Sequence, residues 1–210
     1  CQIFLDLMLY YSQDLSSMSQ VSTNINKIRK RILSACERAD RDVLSVKLVA
    51  VTKTASIAQI REAISDNIYD FGENRVQVAL TKIELLKDVG IRWHMIGHLQ
   101  SNKVKQSVTA FNLIHSLSSL SLATEIDKRA QENGIVVNVL IEVNVSGEGT
   151  KYGVNIDEVS TLHSEIKKLE SLKVIGQMTM PPFSDNAEDS RVYFRKLKKI
   201  HLCYTKPTHE

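Results

Sequence analysis

A chain of 210 residues that is 43% hydrophobic and 24% charged has the length and make-up of one globular domain with a substantial core. Its formal net charge is only +3, with the basic residues scattered, so bulk charge gives no reason to expect nucleic acid as a partner. Three cysteines, at positions 1, 36 and 203, form neither a C-x-x-C pair nor a disulfide framework, which suits a reducing, cytoplasmic setting.

In chain order, Ile3 to Tyr11 is apolar but interrupted by Asp6. It lacks a basic flank and has about half the length a bilayer span needs, so no membrane role is expected. Met18 precedes the first well-patterned helix. The reading is a leader at 1–17, a single domain at 18–202 and an irregular tail at 203–210.

Within the domain, short β-branched runs alternate with segments of helical period. The runs predict strands at Lys47–Lys53, Ile68–Phe71, Arg92–Ile96, Leu113–Leu117, Val136–Val145 and Leu172–Met180. Between them, Ile57, Ile60 and Ile64 share a face behind a capping box at Ser56 and Gln59. Further helical stripes are Val76, Leu80 and Ile83, then Leu122, Ile126 and Ala130, then Val159, Leu162, Ile166 and Leu169. The densest basic run, Arg195, Lys196, Lys198 and Lys199, reads as the solvated face of a last helix whose other face is Val192, Phe194, Leu197 and Ile200.

Repeated βα units imply a parallel sheet, and the near-continuous apolar character of the first and fifth strands predicts that both are covered on two sides. No G-x-G-x-x-G follows the first strand, and polar residues gather after several strand ends. A TIM-barrel-like (β/α) architecture fits better than a doubly wound sheet. Six strands are countable where a closed barrel has eight, so the predicted barrel is incomplete.

Those strand ends carry the candidate chemistry. Lys53 closes the first strand, where desolvation would free its amine as a nucleophile for aldehydes, although a strand-end lysine also fits a snorkelling side chain. Asn74 follows Phe71-Gly72-Glu73 and offers a donor and an acceptor; it also fits a helix cap. His94 and His98 are four apart on a strand rather than a helix, a poor metal pair. The run Ser146-Gly147-Glu148-Gly149-Thr150-Lys151 lacks P-loop spacing. Met178 and Met180 suit either the wall of an apolar ring pocket or plain core packing.

Taken in order, AVTKT at 50–54, FGENRVQ at 71–77, WHMIGHLQSNKV at 93–104, IEVNVSGEGTKYGV at 141–154 and IGQMTMPP at 175–182 resemble the pyridoxal phosphate homeostasis protein family (YggS type). That family consists of barrels similar to the N-terminal domain of alanine racemase. The resemblance implies pyridoxal 5′-phosphate (PLP) held as a Schiff base on Lys53, with Asn74 beside the ring and His98 and Met178 facing the same pocket. It implies a carrier or regulator in vitamin B6 and amino-acid homeostasis rather than a catalyst; as to partners, the expectation is a monomer with at most transient contact with PLP enzymes. The family's Ser-x-Gly-Met-Ser and Arg-Ile-Gly motifs, which complete the barrel and cradle the phosphate, do not occur in these 210 residues. The expectation is therefore a C-terminally truncated form. The alternatives are a weak PLP-dependent amino-acid racemase and a truncated product with impaired cofactor binding.

Overall fold

Ser19 opens the first helix by accepting a hydrogen bond from the Ser22 N–H, and Ser56 and Gln59 close the predicted capping box at the start of the second. These helices, α1 (Gln20–Arg38) and α2 (Ile57–Ser65), belong to a computed structural model that describes residues 19–149 and 152–205. The leader at 1–17 and the tail beyond 205 lie outside the described residues. The described residues fall into two compact units, 19–50 with 54–69, and 51–53 with the rest from Asp70 onward.

In the first unit, the two helices meet at the turn after α2. Ser22 Oγ donates to the Asp66 carboxylate, and Arg29 Nη2 donates to the Asp66 carbonyl at 2.5 Å. Ile25, Cys36, Ile60, Ala63 and Ile68 form its buried apolar set. Burial of each large aliphatic side chain contributes about 1.5–3 kcal/mol relative to exposure.

The sheet has the order β1 (Ala50–Val51), β2 (Asp70–Glu73), β3 (Arg92–Met95), β4 (Leu113–Leu117) and β5 (Val137–Asn144), all of it from Val51 onward in the second unit. Both β6 (Val154–Asn155) and β7 (Leu172–Met178) pair with β5. Every ladder from β2 onward is parallel. The connecting helices are α3 (Val76–Leu85), α4 (Val104–Ala110), α5 (Leu120–Glu132) and α6 (Val159–Ile166), and α7 (Arg191–Thr205) follows the sheet. This is the expected succession of βα units, an incomplete TIM-barrel-like parallel architecture. Among the described residues the sheet ends at β1 on one side and β7 on the other.

Strand registry sorts the side chains onto two faces. Phe71 lies opposite Trp93, Glu73 opposite Met95 and Ile114 opposite Val139, and with Ile141 and Val143 these form one face, all buried. Lys82 of α3 bonds Glu73 across that face, which marks it as the helix-covered side. The buried stripes Val104 and Val108, Leu122 and Ile126, and Val159 and Leu162 supply its cover. Asp70, Arg92, His94, Leu140, Glu142 and Met178 take the other face, which in an α/β barrel is the inside.

Three expectations need correction. β1 is not covered on both sides: Leu48, Val49 and Ala50 are half-buried and Val51 is 55% exposed, because β1 is an edge strand. The two-residue strand β6 adds to the six predicted, and it escapes the pattern because two residues carry no period. Helix α7 runs on to Thr205, so the stretch expected to be irregular from 203 begins as helix.

Candidate functional site at the C-terminal ends of the strands

A parallel sheet puts all its strand C-termini at one end, where loops are free to vary while the strands hold them in place. Lys53 lies two residues beyond β1, Asn74 directly follows β2, His98 follows β3, and Met178 is the last residue of β7. All four predicted site residues therefore share this end.

Short contacts tie the segments together. The Thr52 N–H donates to the Gly72 carbonyl at 2.9 Å, carrying the pairing of β1 and β2 up to the residue before Lys53. Beyond β3, Gly97 passes so close to Asn74 that an added Cβ would lie 2.5 Å from the Asn74 carbonyl oxygen and 2.8 Å from its Cα. Only glycine fits that approach. The His98 ring stacks on Tyr152, with centroids 4.3 Å apart and planes at 15°. Asn144, at the end of β5, binds its own loop: its Nδ2 donates to the Glu148 carbonyl at 2.8 Å, and its Oδ1 accepts from Ser146 Oγ at 2.9 Å and the Gly147 N–H at 3.0 Å. Gly153, at φ +108°, crosses the same strand end, where a Cβ would lie 2.8 Å from the Asn144 nitrogen.

Lys53 is exposed. Among the described residues the strand that leads to it, β1, has a neighbour on one side only, so the burial that the strand-end position suggested is not seen there. The buried lysine is Lys82, which the sequence pattern passes over. Its Nζ donates to the Thr52 carbonyl at 2.5 Å and to Glu73 Oε1 at 2.7 Å, and Thr52 Oγ1 donates to the same carboxylate oxygen at 2.7 Å. Asn74 and His98 are exposed, and Met178 is half-buried opposite Glu142 in the β5–β7 ladder.

The inner face below this rim is polar. Arg92 grips Asp70 through two bonds of 2.6 and 2.8 Å. His94 Nε2 hydrogen-bonds the same carboxylate at 3.0 Å, and its Nδ1 shares a hydrogen bond with His115 Nε2, 2.9 Å away. Burial, and secondly the neighbouring His94, push the His115 ring down to about 4. Glu142 is held above the usual carboxylate range by burial. Spacing alone gives no signal for this chain of groups, because its members sit on three strands and meet only through registry. No group of His, Cys, Asp and Glu suited to a metal ion occurs among the described residues.

An exposed primary amine, an exposed amide and a half-buried thioether thus lie at one end of the parallel sheet. The family model described as "Alanine racemase, N-terminal domain" matches residues 19–206, nearly the whole chain. A pyridoxal phosphate homeostasis protein of Aquifex aeolicus is 47% identical over 176 residues, covering 84% of this chain and 77% of its own length. The crystal structure of an unknown protein from Bifidobacterium adolescentis superposes with a TM-score of 0.80 at 32% identity, covering 89% of this chain and 81% of that one. PipY of Synechococcus elongatus, solved with PLP bound, gives a TM-score of 0.71 at 30% identity, with 83% and 80% covered. The chain belongs to the pyridoxal phosphate homeostasis protein family, within the alanine racemase N-terminal-domain fold.

Proposed function

We propose that this protein binds PLP and carries it as a Schiff base on Lys53, serving cofactor homeostasis as a carrier rather than a catalyst. The observation that carries this reading is an exposed lysine at the same end of the sheet as Asn74, His98 and Met178. PLP bound to PipY and the names of the relatives support it.

The donor set fits the cofactor. PLP would supply an aldehyde, and Lys53 would be the residue that holds it, through a Schiff base formed with loss of water and without an oxidant or second substrate. Asn74 would hold a ring substituent with its amide, Met178 would pack on the ring, and the stacked His98 and Tyr152 rings would border the opening. Among the described residues no helix is long and apolar enough to cross a membrane. A monomer in the cytoplasm, meeting PLP enzymes only transiently, completes the proposal.

Incubation with PLP should produce a Schiff-base absorbance band, and borohydride reduction followed by peptide mapping should place the label on Lys53. Folded protein that shows no label at that residue, or a Lys53→Ala variant that keeps the band, overturns the reading.

A further inference from the structure

The peptide that joins Thr52 to Lys53 is held by unusual means. A backbone carbonyl that leaves a sheet ladder must find another partner. Here β1 ends at Val51, Thr52 keeps one ladder bond through its N–H, and its carbonyl is taken by the Lys82 ammonium. The same ammonium binds Glu73, which accepts from Thr52 Oγ1 as well, so Thr52, Lys82 and Glu73 form a closed ring of hydrogen bonds. One residue beyond Thr52 is Lys53, and one residue beyond Glu73 is Asn74. The ring thus joins the two strand ends that carry the proposed cofactor contacts.

This pair is deeply buried, with side-chain exposures of 11% for Lys82 and 0% for Glu73, and Glu73 Oε2 has no partner among the described residues. If cohesion between α3 and the sheet were all that was needed, two aliphatic side chains would supply it without desolvating two charges. An aliphatic side chain cannot aim a carbonyl. A lysine ammonium with three donors can hold the Thr52 carbonyl and the Glu73 carboxylate at once. Since the ring lies on the helix-covered face, Lys82 acts through Thr52 and not on the cofactor.

We propose that Lys82 is a positioning residue: by gripping the Thr52 carbonyl and Glu73 together, it fixes the direction in which Lys53 leaves β1 and so how its amine meets the PLP aldehyde. This rests on the Lys53 reading above. The test compares wild type, Lys82→Met and the double variant Lys82→Met/Glu73→Gln, the second change removing the charge that the first leaves stranded. Each is assayed for its apo unfolding midpoint, for PLP affinity by the Schiff-base band, and for the pH midpoint of that band, all well below its unfolding temperature.

If wild type forms no band, the carrier reading fails, and that failure is independent of the variants. With wild type loading normally, Lys82→Met should lose stability and PLP affinity together. The double variant should regain most of the stability but remain about tenfold or more weaker for PLP, with a shifted pH midpoint, as expected of a misdirected reacting group. Should the double variant be incompletely folded, a protecting osmolyte restores the compact state and loading is read there. A folded double variant that binds PLP with wild-type affinity and an unshifted pH midpoint reduces Lys82 to a structural tie and overturns the proposal.

Discussion

Both faces of the sheet bury a polar cluster, but the two are wired differently. On the helix side, Thr52, Glu73 and Lys82 close on themselves with formal charges that cancel. On the inner side, the chain begins at Arg92, whose side chain is 50% exposed, and runs through Asp70 and His94 to His115, whose other ring nitrogen has no hydrogen bond among the described residues. A closed ring of opposite charges holds geometry and answers to mutation. An open chain of imidazoles also answers to protons.

The sharpest break in that comparison is Lys82→Met. It leaves the Glu73 carboxylate buried without its cation, and the expected loss is about 3–5 kcal/mol of folding free energy in urea unfolding at neutral pH. Loss below about 1 kcal/mol would mean that the ring is looser than it looks. The next effect is Gly97→Ala. The new methyl would meet backbone atoms of Asn74, which cannot swing aside as a flexible side chain would. The expected cost is about 2–3 kcal/mol, with PLP loading weakened because Asn74 is displaced. A fully stable alanine variant would show that the rim can part at this point.

The inner chain is sharpened by pH. His115 titrates near 4 when folded and near 6.5 when unfolded, so the unfolded chain takes up a proton that the folded one refuses. The stability from the neutral ring is full above about pH 6.5 and drains away as pH falls toward about 4. After allowance for the ring's partial contact with water, the loss is about 2 kcal/mol. His115→Gln keeps a neutral group able to hydrogen-bond His94 and should flatten the unfolding free energy across that window. An unchanged slope would assign the acid sensitivity to other groups.

The legible parts of this protein are those in which a local pattern and a tertiary role coincide. Leu113–Leu117 is read to the residue, and Val136–Val145 nearly so, because β-branched runs flanked by polar turns have one reading in a βα succession. The strand-end positions of Lys53 and Asn74 are legible through the motifs that carry them. The reason first attached to Lys53 is not: burial of a strand end depends on having neighbours on both sides, and β1 is an edge. Helix α3 shows a subtler limit. Its pattern reads as Val76, Leu80 and Ile83, whereas the buried residues are Val76, Ala79 and Lys82. A lysine in an apolar stripe is ordinarily discounted as snorkelling. What reverses that is Glu73 on the adjoining strand, a non-local partner. Asp70, His94 and His115 stay illegible for the same reason, since only registry assembles them.

The smallest effect concerns the His98–Tyr152 stack, the contact that links the loop after β3 to the segment entering β6. Both rings are exposed, Tyr152 by 61%, so little apolar area is at stake and the ring contact itself is worth about 0.5–1 kcal/mol. Substitution of either residue by alanine should lower stability by no more than that, and the double variant should cost less than the sum of the two because the interaction is lost only once. If the stack does nothing but join two loops, PLP affinity is unmoved in His98→Ala. If His98 borders the cofactor opening as proposed, the same free energy appears as a two- to fivefold weaker affinity. Because Tyr152→Ala removes the stack but leaves the imidazole, comparing the two variants separates the ring's own contact with PLP from its service to the loop: equal losses implicate the stack, and a loss confined to His98→Ala implicates the imidazole.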